Sequence, residues 1–112
     1  MDACRGIGIM VRYERNFKIH LLAFLLVITL GAVLQITSFE WVLIVLVCIL
    51  VLTLEAINTA LEKLCNEITL ERKESIRHIK DVAAGAVLIA AAGALIIAAI
   101  IFYPYLVAKT SK

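Results

Sequence analysis

Apolar residues fall into three long runs, Ile19–Leu34, Phe39–Leu54 and Val82–Tyr103. The first is broken only by His20, Thr29 and Gly31, and the second carries one charge, Glu40, near its start. The third is rich in alanine, with Gly85 and Gly93. A helix needs roughly 20 apolar residues to cross a bilayer, so the runs predict three transmembrane helices over about 18–36, 39–65 and 80–104. Ahead of them, Ile7, Met10, Val11, Tyr13 and Phe17 interleave with Arg5, Arg12, Arg15 and Lys18. That mixture predicts an amphipathic surface helix over about 1–17, with Gly6 and Gly8 as its weak points. Gln35-Ile36-Thr37-Ser38 reads as a turn with Ser38 as N-cap of the next helix. Trp41, Tyr103 and Tyr105 suit an outer aromatic belt, and Pro104 is expected to end the third span. Residues 67–78 form a charged connection. The expected fold is one all-α membrane domain spanning 1–112.

Composition sharpens this picture. The 112 residues are 63% hydrophobic, with a mean hydropathy of +1.03, well above the roughly 45–50% of soluble domains. A net charge of +2 is too small to suggest a nucleic-acid partner. The positions of the basic residues say more. Arg5, Arg12, Arg15 and Lys18 precede the first run, and Lys63, Arg72, Lys73, Arg77 and Lys80 lie between the second and third. The turn after the first run has none. The positive-inside rule then puts the N-terminus and the 63–80 connection in the cytoplasm, and the short turn and the C-terminus outside. Cys4, Cys48 and Cys65 show no CxxC spacing and read as small hydrophobes. No cleavable signal peptide is expected, since about twenty mixed residues precede the first run without a small-residue cleavage site. Neither GxxxxGK[ST] nor GxGxxG occurs, so any nucleotide is held without a glycine-rich phosphate loop.

Candidate chemistry begins where the second run ends. Glu55, Asn58, Thr59, Glu62 and Asn66 stand at i, i+3, i+4, i+7 and i+11, a single stripe on one helix face. Glu55 and Glu62 are two turns apart, about 10 Å along the axis. An ionisable residue inside a membrane segment is a functional hypothesis by default. Topology brings Glu14 and the Lys80-Asp81 pair to the same side. The three carboxylates Glu14, Glu62 and Asp81 with Lys80 suit a metal-assisted phosphate site, because Mg²⁺ takes carboxylate oxygens together with substrate phosphates and lysine serves phosphate as a point charge. The structural alternatives are an ordinary helix end at Glu62, Lys63 and Asn66, a pairing of Glu55 with Lys80 or Asn58, and a snorkelling anchor at Lys80-Asp81. His20 and His78 are isolated, without metal-ligand spacing. These residues by themselves describe a small three-span membrane protein with an acidic site at the cytoplasmic interface, for which a kinase is one candidate.

The stretch Glu55-x-x-Asn58-Thr59-Ala60-Leu61-Glu62 resembles the E-x-x-N-[ST]-A-[IL]-E-x-x-x-D signature of the small prokaryotic membrane lipid kinases, the diacylglycerol and undecaprenol kinase family. Lys80-Asp81 and the small residues after it resemble that family's K-D block, with Glu14 at the expected distance upstream. Glu14-Arg15-Asn16-Phe17-Lys18-Ile19-His20 is closer to the undecaprenol kinase branch. The resemblance implies a homotrimer of three-span subunits, each with an N-terminal surface helix, and active sites shared between neighbours. It implies Glu55 as general base, Glu14 and Glu62 as Mg²⁺ ligands holding the ATP phosphates, and Glu71, Lys80, Asp81 and Asn58 as nucleotide-site positions. Two departures stand out. Asn66 replaces the final Asp of the signature, and Asp2 stands where an aromatic is expected.

The expected activity is therefore ATP-dependent phosphorylation of a membrane lipid alcohol, undecaprenol before diacylglycerol, in the cytoplasmic membrane. A non-catalytic membrane subunit is the contrasting expectation, and for it Glu55→Gln and Glu62→Gln would be harmless.

Overall fold

A computed structural model describes residues 2–68 and 73–110. Among them there are four helices and no strand: α1 (Asp2–Tyr13), α2 (Arg15–Leu34), α3 (Ser38–Ile68) and α4 (Glu74–Thr110). Three of these, α2, α3 and α4, are long and apolar enough to cross a membrane. At about 1.5 Å per residue, the 20 residues of α2 match the hydrocarbon thickness, and α3 and α4 overrun it at one end or both. Their large apolar side chains point outward, with Leu88, Ile89 and Leu95 each at least 70% exposed, as lipid-facing helices require.

The helix boundaries depart from the sequence expectation for identifiable reasons. The first helix stops at Tyr13 because Glu14 is extended, with φ −99° and ψ 111°. Its N–H still closes the last turn of α1 on the Met10 carbonyl, and its own carbonyl accepts the first α2 bond from Lys18, both at 3.1 Å. Arg15, Asn16 and Phe17 thus belong to α2. Helix α2 ends on Gln35, whose left-handed backbone has φ 55°. The Ile36 N–H donates to the Gly31 carbonyl at 3.2 Å and the Gln35 N–H to that of Ala32 at 3.4 Å, the two bonds of a Schellman motif. Thr29, polar within α2, is satisfied locally because its hydroxyl donates to the Leu25 carbonyl at 2.8 Å.

The cap of α3 is Thr37, not Ser38. Thr37 Oγ1 accepts from the Glu40 N–H at 3.2 Å and Glu40 Oε1 accepts from the Thr37 N–H at 2.9 Å, a reciprocal capping box. Glu40 therefore serves the backbone, and it also accepts a hydrogen bond from the Tyr105 hydroxyl on α4. Pro104 does not end the last helix. It lies inside α4, which continues to Thr110. Proline is tolerated within membrane helices where neighbours support the interrupted turn, and here the next residue, Tyr105, is tied to Glu40 on α3.

Helices α3 and α4 make the most extensive pairing, with α2 packed on α3 and α1 against α2. The packed face of α3 runs through Ile44, Cys48, Val51, Glu55, Asn58 and Cys65. This i, i+4, i+7 recurrence is a core stripe. It is hydrophobic up to Val51 and becomes polar at Glu55. Beside the turn, Ile36, Ile44, Cys48, Ile101 and Phe102 form the buried cluster. Gly31 lets Ile36 and Trp41 close over α2, since a Cβ there would meet Ile36 Cδ1 and Trp41 Cη2 at 3.0 Å each. Gly31→Ala is expected to destabilise the protein by about 1–3 kcal/mol through overpacking. Thermal denaturation in detergent micelles checks this as a lowered midpoint.

Candidate functional site

Glu55 is 4% exposed, Asn58 6% and Thr59 8%, all on the packed face of α3. A buried carboxylate is costly unless paired. The partner of Glu55 is His20 from α2, with Nδ1 3.7 Å from Oε2, and not Lys80 or Asn58. Asn58 instead donates from Nδ2 to Glu62 Oε1 at 3.0 Å, one turn further along. Its own Oδ1 is buried without a hydrogen-bond partner. Glu62 is exposed, so the stripe passes from enclosed to open within two turns.

Glu14 joins the same end of α3 from the α1–α2 junction. As the residue before α2 it makes no side-chain cap, which leaves its carboxylate for Lys63 Nζ, 3.6 Å away. Lys80 reaches across from α4 and donates from Nζ to Asn66 Oδ1 at 2.7 Å. Asn66, where the family signature has an Asp, is thus a neutral acceptor for this lysine. Asp81 stays on its own helix, 74% exposed in its side chain and 4.0 Å from Arg77 Nε. Arg77 also faces Glu74 at 3.6 Å. Glu71 lies outside the described residues. No group of three or more His, Cys, Asp or Glu side chains is poised as a metal cluster among the described residues.

Two residues that the sequence left in structural roles therefore belong here. His20 looked isolated, and its signal was its phase. It recurs with Phe17, Phe24, Val27 and Gly31 at three- and four-residue spacing, the packed face of α2. Lys63 read as a topology charge, yet it neutralises Glu14. Beyond His20, a cavity of about 220 Å³ opens between α2, α3 and α4, walled by residues such as Phe24, Val27, Val51 and Ala94.

Three membrane-length helices with a buried carboxylate and converging polar groups at one end define an integral-membrane protein with an acidic site near the end of its spans. The chain belongs to the prokaryotic diacylglycerol kinase family, whose model matches residues 1–102. It is 38% identical over 106 residues to the undecaprenol kinase of Bacillus subtilis, a match covering 95% of this chain and 86% of that protein. It is 34% identical over 103 residues to the diacylglycerol kinase of a Synechocystis species, covering 91% of this chain and 59% of that protein.

Proposed function

We propose that this lipid kinase transfers the γ-phosphate of ATP to undecaprenol at the cytoplasmic face of the cell membrane. The observation that carries the reading is the buried Glu55, set where the core stripe of α3 turns polar. The greater identity to an undecaprenol kinase, over more of that relative's length, supports the acceptor. Diacylglycerol is the second reading, supported by the 34% relative.

In this reading Glu55 Oε2 takes the proton of the lipid hydroxyl, general-base work of the kind that contributes roughly 10²- to 10⁴-fold. Glu14 and Glu62 hold Mg²⁺. Their fit rests on donor chemistry: both are carboxylates, one half-buried and one open to solvent, and Mg²⁺ binds through one or two carboxylates plus phosphates rather than a full protein cage. Bound there, the cation supplies charge neutralisation on the phosphates. Asn58 holds Glu62 in place and offers its unmatched Oδ1. Lys80, and with it Asp81 and Glu71, completes the nucleotide side. Helix α1 lies on the inner leaflet as an amphipathic surface helix.

The assembly is a homotrimer. Support comes from the chain itself: Glu62 and Asp81 are exposed in a single subunit, at the end of helices that otherwise face lipid. The alanine- and glycine-rich α4 also offers a surface for close helix approach. If neighbouring subunits complete each site, mixing inactive Glu55→Gln and Lys80→Ala subunits restores part of the activity. Rates no higher than either variant alone place each site within one subunit. The acceptor is tested with γ-labelled ATP, Mg²⁺ and equimolar undecaprenol and diacylglycerol in detergent micelles. Label mainly in undecaprenyl phosphate is expected. Label mainly in phosphatidic acid gives the second reading, and none in either lipid overturns both.

A further inference from the structure

The chemistry of His20 rests on the kinase reading above. Three observations meet at its ring. Its Nδ1 is buried and has no hydrogen-bond partner, a state that costs free energy in the resting protein. The same atom lies 3.7 Å from Glu55 Oε2, beyond hydrogen-bond length. The ring also forms the polar end of the cavity of about 220 Å³, whose wall is otherwise alanine, aliphatic, phenylalanine and one cysteine.

The gap between the two side chains has a chemical specification. Once the two side chains part to admit it, since Nδ1 is closed off in the resting protein, an oxygen about 2.8 Å from both atoms bridges them. In the tautomer with its proton on Nδ1, His20 only donates there, and a carboxylate only accepts. The bridging group must therefore accept one hydrogen bond and donate another. A hydroxyl does both. An ester or ether oxygen cannot, because it has no proton to donate. Water also does both, but the apolar walls next to the gap favour a hydroxyl carried on a hydrocarbon chain.

We propose that His20 Nδ1–H donates to the oxygen of the lipid alcohol while Glu55 Oε2 accepts that alcohol's proton, with the first carbons of the lipid in the adjoining cavity. The oxygen lone pair then forms the new bond to the γ-phosphorus. The bond from that phosphorus to the bridging oxygen of ADP breaks, ADP leaves with the electron pair, and the proton remains on Glu55. His20 thus orients the attacking oxygen and is not the base.

The test uses the full chain in detergent micelles with γ-labelled ATP, Mg²⁺ and undecaprenol, comparing His20→Leu, His20→Asn and His20→Gln with the wild type. His20→Leu is expected to lower kcat about 10- to 100-fold, the range of one buried hydrogen bond, with the KM for ATP unchanged. The amide nitrogen of Asn reaches the position of Nδ1, so His20→Asn is expected to stay within about fivefold of the wild type. The Gln amide lies one carbon further out and is expected to perform at least about tenfold worse than Asn. An active wild type with an equally active His20→Leu overturns the inference alone. So does a loss confined to the KM for ATP. Should His20→Leu fail to fold, the Asn-to-Gln comparison decides, and equal rates overturn the role. A wild type that labels no lipid alcohol overturns the kinase reading and this inference with it.

Discussion

Glu55→Gln is expected to give a folded protein that transfers phosphate about 10³-fold more slowly than the wild type, within the range that a positioned general base contributes. The substitution is nearly isosteric. It keeps hydrogen-bonding capacity toward His20, 3.7 Å away, and removes a charge from a site that is 4% exposed. With His20 neutral no counter-charge is left unpaired, and the cost of burying an ionised carboxylate is removed, so the thermal midpoint is expected to hold or rise. Activity and stability therefore move apart, which a merely structural carboxylate cannot reproduce. Steady-state kinetics and a melting curve on the same micellar preparation check both halves. Glu40→Gln is the control on the same helix. Glu40 caps the opposite end of α3 and bonds Tyr105, so its loss is expected to lower the melting point and leave the rate per folded molecule near wild type.

Glu62→Gln is the second large effect, an expected loss of about 10²-fold. Its origin is different. Asn58 Nδ2 donates to Glu62 Oε1 at 3.0 Å, and a glutamine oxygen can accept that bond equally well. The local geometry is kept and only the negative charge goes. If Glu62 holds the cation, the loss appears as a raised Mg²⁺ requirement, and saturating Mg²⁺ recovers part of the rate. Glu55→Gln shows no such recovery, because a base is not replaced by more metal. Titrating Mg²⁺ at fixed ATP in the two variants separates the roles. Identical Mg²⁺ curves for Glu62→Gln and the wild type would remove Glu62 from the metal site.

The spans were legible because membrane burial is a matter of length and uniform apolarity, both of which survive in a linear chain. The stripe of Glu55, Asn58 and Glu62 was legible for a similar reason, since helical phase follows directly from residue spacing. Interactions between elements were hidden. Nothing local announces that Tyr105 will bond Glu40, so Pro104 looked like a terminus when α4 continues through it to Thr110. Thr37 and Ser38 are both good caps, and the choice fell to Thr37 because Glu40 stands three residues after it. Glu14 as a helix break depended on backbone angles that no single residue dictates. His20 was hidden most deeply, since its meaning depends on how α2 is rotated against α3. The family signature located the acidic residues, and the stretch resembling the undecaprenol kinase branch ends in His20 without saying what that histidine meets.

The physical premise is that carboxylates at this boundary are tolerated because they grip a cation and the phosphates it carries. Equilibrium binding of a non-hydrolysable ATP analogue to the micellar protein, with and without Mg²⁺, tests it most directly. Wild type and Glu55→Gln are expected to bind alike and only with Mg²⁺ present, while the Glu14→Gln/Glu62→Gln double variant loses the Mg²⁺-dependent binding. A double variant that binds the analogue as tightly as the wild type, with the same dependence on Mg²⁺, would contradict it.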